Sequence, residues 1–543
     1  MLRISRHALL ILLLGILLLP QLAAAAPQAA PANPSTSGND TMLVRLKNGL
    51  TVYIIRDSRF PLVCTRLFVG TGSANETAEQ AGISHVLEHM VFKGTEKRPK
   101  GQVARDVESL GGYLNAATSF DKTWFITDMP AKHWKTGMDV VKDMAFHPSL
   151  DPAELEAEKD VIVSELKGGD DTPTRRLFED LQVAGLAHTV YGRPIIGFEK
   201  TIRAVTADDL RAYIRTWYQP QNMMLLVAGD IDPKAVLAHA EELFGDLKND
   251  TILPEPAPVQ LGRRRGAVPR VEVTYGPWNK VYLGIALPAP ALGDQRSIDL
   301  DVLAYALGGD GTSQFYRKYR YEKQLVDSIS VGNMSLNRAG LFYMVAQLDA
   351  DKVEPFWQEF TRDLAALDAG KITPDVIERA RFNYEDGMDR ASETLDGLTS
   401  WKATVQFELG GPQGEANVRH ALAAVDSARL RQAQDLWLRP DQVRVRVLAS
   451  RKGQAARSGC HFAAQLARAC RGAAKGRCCR GKGGQARDRR SGAGPYRDPA
   501  AGPHHPLCVA GDPAPRRQCA AQACRPGPGP AHGRHPDRRL RHA

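Results

Sequence analysis

Gly82-Ile83-Ser84-His85-Val86-Leu87-Glu88-His89-Met90-Val91-Phe92 decides how the rest of this chain is read. It carries His85, Glu88 and His89 in the order H-x-x-E-H. On a helix, residues i and i+4 share a face one turn apart. His85 and His89 can therefore point two imidazoles at one metal ion. Glu88, beside His89, lies on the flank of that face and is placed to hold water next to the ion. The order inverts the commoner zinc motif H-E-x-x-H and defines a class of its own. Ile83, Val86, Leu87, Met90 and Val91 would also suit a core helix with two hydrogen-bonded histidines. Two His and a Glu at this spacing favour the metal.

A catalytic zinc takes three protein ligands and keeps one position open. The source of the third is a second helix, from Asp151-Pro152-Ala153-Glu154 to Lys167. Asp151 reads as its N-cap, Pro152 as its first residue and Glu154 as the capping-box partner. Glu158 and Glu165 lie two turns apart on one face, a rise of about 10.5 Å. One ion cannot easily bind both, and spacing alone does not choose between them.

These two segments together resemble the pitrilysin-like M16 metallopeptidases, in the processing-peptidase-like branch. Other stretches agree: Gly111-Gly112-Tyr113-Leu114-Asn115-Ala116-Ala117-Thr118 with Asp121 and Thr123, then Tyr191-Gly192-Arg193-Pro194-Ile195-Ile196-Gly197, then Trp217-Tyr218 with Pro220 and Asn222. Thr189-Val190 stands where the family often has His-Pro. The resemblance covers roughly residues 43–450. It implies an α+β fold of two homologous domains, each a mostly antiparallel sheet flanked by helices, with only the first binding metal. It also implies that His85, His89 and Glu165 hold one Zn²⁺ per chain, that Glu158 supports a ligand, and that Glu88 is the general base.

Outward from the motif, residues 1–26 read as a secretory signal: basic Arg3, Arg6 and His7, an apolar run from Ala8 to Leu19, and the small residues Ala23 to Ala26. The run is too short for an ordinary membrane span. Export to the periplasm or beyond is expected, with no anchor after cleavage. Residues 27–42 read as a flexible leader, 43–250 as the zinc-binding domain, 251–268 as a Pro- and Arg-rich linker, and 269–450 as the metal-free domain. Strands are expected at 50–55, 62–69, 113–118, 123–127 and 223–228. Helices are expected at 132–146, 152–167, 207–217 and from Pro233 to about Phe244. The plan repeats after the linker: Asp151-Pro152 answers to Thr373-Pro374, an offset of 222. At that offset Glu158 falls on Ala380 and Glu165 on Gly387, and the counterpart of the metal helix, Ser297–Leu307, has no His.

Composition changes at about Arg451. Residues 451–543 hold twenty Lys and Arg against four Asp, a net +16, so residues 1–450 carry −6 of the total +10. Seven of the eight cysteines also lie there, at irregular spacings that fit no zinc pattern. This low-complexity tail lacks Glu, Ile, Met and Trp and reads as disordered, or as coding sequence shifted out of frame. The basic balance belongs to it alone, so no nucleic-acid partner is expected. Cys64, the one remaining cysteine, excludes a disulfide framework in the folded part. There is no Gly-x-Ser-x-Gly elbow, and Gly308-Gly309-Asp310-Gly311 lacks the Gly-Lys-Ser/Thr of a phosphate loop.

The expected activity is zinc-dependent endoproteolysis. A peptide would add as a strand at the sheet edge near Asn115, Ala116 and Thr118. By resemblance, Arg320 of the metal-free domain would reach the substrate, with a Tyr seven residues later. That position is Asp327 here. A carboxylate cannot donate at neutral pH as a phenol does, so a second M16-like subunit is expected to complete the site, as a heterodimer in preference to a homodimer. The alternative function is a non-catalytic M16-like subunit acting as a binding or scaffold partner.

Overall fold

The computed structural model describes residues 41–169, 172–256, 258–259, 261, 270–439 and 442–450. The expected signal segment, all but the last two residues of the expected leader, and the basic tail lie outside the described residues. The first half runs β1 (Thr41–Arg45), β2 (Thr51–Arg56), β3 (Leu62–Val69), α1 (Ile83–Met90), α2 (Gln102–Glu108), β4 (Tyr113–Thr118), β5 (Thr123–Pro130), α3 (Trp134–Phe146), α4 (Pro152–Gly168), α5 (Pro173–Gly185), α6 (Glu199–Ala204), α7 (Ala207–Trp217), β6 (Met223–Gly229) and α8 (Pro233–Phe244). The second runs β7 (Arg270–Gly276), β8 (Val281–Ala289), α9 (Gln295–Gly308), a π-helical turn (Tyr316–Glu322), β9 (Ser328–Ser335), β10 (Gly340–Leu348), α10 (Val353–Ala366), α11 (Pro374–Arg390), α12 (Leu395–Ala403), α13 (Pro412–Ala423), α14 (Ser427–Trp437) and β11 (Arg444–Ser450).

Each half has one sheet, in the orders β1-β2-β6-β3-β5-β4 and β7-β11-β8-β10-β9. Both are antiparallel apart from a single parallel pair, β2 with β6 and β7 with β11. The α+β reading with two like domains therefore holds. β4 and β9 occupy corresponding edges. The duplication is regular among the helices: α4 and α11 each have 17 residues and start 222 apart, and α5 and α12 keep that offset. Ala380, at the place of Glu158, is buried apolar packing.

Side chains along a strand alternate between faces, and both faces of each sheet are covered. On one face of the first sheet, Met223, Leu225 and Val227 join α1, α3, α4, α7 and α8 in a core. On the other, Met224, Leu226 and Ala228 meet Leu395, Leu398 and Ala403, which belong to α12 of the second half. The second sheet mirrors this. Leu283, Ile285 and Leu287 face α9, α10, α11 and α14, while Tyr282, Ala286, Leu341 and Leu448 meet Leu177 and Leu181 of α5, from the first half. The approach is close: a Cβ at Gly284 would lie 2.4 Å from Leu181 Cδ1. Buried Arg66 of β3 completes the α12 contact, pairing with Asp128 at 2.6 Å and Asp396 at 2.9 Å. Each half thus lends one helix to the other's sheet.

Three details differ from expectation. The strand from Thr123 continues to Pro130, and the helix expected from Lys132 starts at Trp134 after a short 3-10 turn. Asp151 does cap α4, accepting from the N–H groups of Ala153 and Glu154, but the Glu154 carboxylate turns to Lys100 Nζ (2.7 Å) instead of reaching back to the cap. β1 starts at Thr41, inside the segment expected to be leader. No described helix is long and apolar enough to cross a membrane.

Candidate metal and catalytic site

The site begins with how α1 is held. Its N-cap, Gly82, has φ of 97°, and a Cβ there would sit 2.5 Å from the Ile196 carbonyl oxygen, so only glycine fits without strain. The free N–H groups at this end are satisfied from a distance. Glu76 accepts from Gly82 N (2.8 Å) with one carboxylate oxygen and from Ser84 N (2.9 Å) with the other. Burial pushes the Glu76 carboxyl up to about 7, against the pull of those bonds. Ser84 Oγ and Thr71 Oγ1 both meet Tyr213 OH of α7, at 2.8 and 2.7 Å.

So anchored, α1 lies against α4. His85 Nε2 and His89 Nε2 stand 3.8 and 3.5 Å from Glu165 Oε2. One ligand atom from each of the three residues lies within 4.8 Å of the others. Ligands about 2.0–2.1 Å from a tetrahedral ion are about 3.4 Å apart, so the two histidines and Glu165 fit zinc with little movement. The other His89 nitrogen, Nδ1, is 2.9 Å from Glu158 Oε1, and Lys93 Nζ pairs with the second Glu158 oxygen. A carboxylate there fixes the ring and its tautomer, leaving Nε2 toward the ion. The two glutamates that spacing left equivalent are thus distinguished by geometry.

The electrostatics suit a metal ligand set. Burial, then the neighbouring His89, pulls His85 down to about 4, so its ring is neutral. Burial also acts to lower His89, but its bonds to Glu158 and Glu165 prevail and raise it to about 9. A metal would displace that proton. Glu165 is held below its ordinary range first by its bond to His89, which outweighs some desolvation, with further electrostatic help from the neighbouring imidazoles. Glu158 is also lowered: desolvation opposes, but His89 and Lys93 outweigh it. Glu88 moves the other way, to about 7, because burial outweighs the opposing effect of Thr118. A carboxyl poised there can take and return a proton near neutral pH.

The remaining expected residues divide. Asn115, Ala116 and Thr118 all lie on edge strand β4. Asn115 Nδ2 donates to Tyr113 OH at 2.9 Å. The Ala116 side chain is buried, so it can offer a peptide only its main chain. Thr118 ends β4, the strand packed against the helix that carries Glu88, a link the sequence did not suggest. Arg320 is exposed on the π-helical turn, away from this cluster in sequence and on the other half. Asp327 pairs with Lys280 at 2.9 Å. Glu76 and Lys93 were missed. Glu76 lies six and eight residues from its partners, outside any local capping offset, so no spacing signal marks it.

Known proteins add the family. Residues 51–199 match the model described as insulinase (peptidase family M16), and residues 204–384 match that described as the peptidase M16 inactive domain. The chain belongs to peptidase family M16. Among relatives of this M16 chain, an uncharacterized zinc protease of Bacillus subtilis, YmxG, is 27% identical over 389 residues, covering 71% of this chain and 92% of the relative. The mitochondrial-processing peptidase subunit beta of Saccharomyces cerevisiae is 26% identical, covering 66% and 80%. The zinc protease PqqE of Helicobacter pylori is 29% identical, covering 63% and 78%. In fold, the M16 chain is similar to a protease from Helicobacter pylori, with TM-score 0.67 at 21% identity over 75% of this chain and 99% of that one. It is also similar to the periplasmic protease PqqL of Escherichia coli, with TM-score 0.64 at 19% identity over 85% of this chain and 52% of that one. The α9–α11 half, without His or Glu at the corresponding places, is the one matched in large part by the inactive-domain model.

Proposed function

We propose that this chain is an exported zinc endopeptidase that hydrolyses peptides or unfolded protein segments. The observation that carries the proposal is the convergence of His85, His89 and Glu165, with Glu88 recessed beside them. Relatives named as zinc proteases support the choice of metal. A zinc ion held by these three residues supplies a Lewis acid that activates water and polarises a peptide carbonyl. Glu88 takes a proton from the attacking water and returns it to the leaving amine. Glu158 orients His89, and Lys93 keeps Glu158 ionised. The edge of β4 offers the Ala116 main chain to an extended peptide, which would take over the Ala116 N–H from Asn115 Oδ1 (2.9 Å), giving affinity with loose side-chain preference. The N-terminal signal pattern, and the periplasmic location named for the similar Escherichia coli protease, support export.

Zinc content of the purified chain, together with cleavage of a quenched peptide with and without chelator, tests the proposal. Glu88→Gln should keep its zinc and lose about 10²–10⁴-fold in turnover. Retention of a tenth of wild-type turnover overturns the base assignment.

A second reading, that the chain works beside a metal-free M16-like subunit, is favoured by Asp327. In this chain the residue is a carboxylate committed to Lys280, not a phenol free to donate. The heterodimer predicts that isolated, zinc-loaded chain is inactive until the partner is added. Full hydrolysis by the isolated chain supports the homodimer or monomer instead.

A further inference from the structure

A polar knot joins the second half to two supports of the site. The short turn Ser73–Asn75 is held to the β4–β5 turn by Ser73 N to Ser119 O (3.1 Å) and Ala74 N to Phe120 O (2.8 Å). Into this junction comes the turn between β9 and β10. Asn337 N donates to Asp121 Oδ2 at 3.2 Å. Arg338 donates to the Tyr191 hydroxyl from its backbone N (3.1 Å) and its Nε (3.4 Å), and to the Ala74 carbonyl from Nη2 (3.2 Å). Tyr191 OH in turn donates to Asp121 Oδ1 at 2.7 Å, and Arg338 Nη2 lies 3.6 Å from the same oxygen. Tyr191 is fully buried, and the Asp121 and Arg338 side chains are only 12% and 15% exposed.

Both contacts lead toward the chemistry. Ala74 is two residues before Glu76, which caps the metal helix α1. Asp121 is three residues after Thr118, the end of β4, and β4 packs against α1, which carries Glu88. Arg193 closes the circuit by donating to the Glu76 carbonyl at 2.7 Å. One guanidinium from the metal-free half therefore braces both the cap of α1 and the end of β4, while touching neither metal ligand nor base.

We propose that Arg338 is a positioning residue through which the metal-free half sets the alignment of α1 with β4, and so of Glu88 with a substrate bound along that edge. A rigid planar fork suits the task, since it reaches Tyr191 OH and the Ala74 carbonyl at once. A lysine supplies the charge from a single point and cannot span both. The kinetic part rests on the peptidase reading, whereas the structural part does not.

The test uses the full chain with Arg338→Ala, Arg338→Lys and Tyr191→Phe, the last removing only the shared hydroxyl. Hydrogen exchange should quicken at residues 73–84 and 113–122 in all three, with β8 unchanged and zinc content retained. In peptide cleavage, kcat should fall about 10- to 100-fold, as small misplacements of reacting groups do, while KM changes less than about threefold. Arg338→Lys should not restore it. Unchanged exchange and unchanged kcat overturn the proposal. So does acceleration of exchange across both halves, or full rescue by Lys, since either marks general stabilisation or simple charge. If wild type shows no hydrolysis while the exchange changes stay local, the peptidase reading falls and the bracing role stands.

Discussion

Glu158 and Glu165 are the same residue type on the same helix face, and only their partners separate them: the far nitrogen of His89 for one, both near nitrogens for the other. Glu165→Gln should therefore strip most of the zinc, while Glu158→Gln should weaken affinity or activity by about 10–100-fold, as loss of a ligand's own support does. Atomic absorption after dialysis checks this, and equal metal loss in both variants removes the distinction. The His-x-x-Glu-His cluster was legible because its geometry is set within one helix. The choice between the glutamates, and the cap from Glu76, depend on how α1 meets other elements, which spacing does not encode. A second residue with a solution signature is Asp301 on α9. Burial pushes its carboxyl up to about 8, although Asn333 Nδ2 donates to it at 3.0 Å. In the unfolded chain the group titrates near 3.9. The folded state then binds more protons between those values, so its contribution to stability falls as pH rises from about 4 to about 8 and is flat beyond. The melting temperature of wild type relative to Asp301→Asn should fall across that window. A constant difference between the two would contradict it.

At the scale of elements, α5 and α12 matter most, because each covers a sheet in the other half. Leu181 of α5 fills the space over Gly284. Leu181→Ala should cost about 2–5 kcal/mol through the lost packing and the cavity left behind, and Gly284→Val should cost about 1–3 kcal/mol by overpacking. Denaturant titration followed by probes in both halves should show one shared transition in each variant. Two separated transitions would mean that the exchanged helices do not couple the halves. The starts of α4 and α8 were readable from Asp151-Pro152 and Asp232-Pro233, where a capping side chain precedes a residue with fixed φ. The bounds expected for α7, 207–217, match the structure. α5 was not read from the sequence at all, and even a recognised amphipathic pattern says that a face is buried but not against what. The π-helical turn at 316–322 also gave no signal, as its extra residue per turn needs support from neighbouring packing.

For the whole molecule, β11 lies inside the second sheet between β7 and β8 and finishes at Ser450. Truncation after Ser450 should leave the melting temperature and peptide cleavage unchanged, whereas truncation before Arg444 should unfold the second half. A large drop in melting temperature from the longer truncation product would show that residues beyond 450 support the fold. The duplicated plan was visible in sequence only as the 222-residue offset, because the second copy has Ala380 and Gly387 at the places of Glu158 and Glu165 and shares little else by residue. The exchange of α5 and α12 gives that duplication an unexpected property. If the chain were cut between residues 251 and 268, each fragment would carry the cover of the other's sheet and lack its own. Neither fragment could finish folding alone, yet the pair would interlock without the peptide that once joined them. The protein is in this sense a complementing pair written as one gene product, with the joint serving as a tether that raises the local concentration of the two pieces.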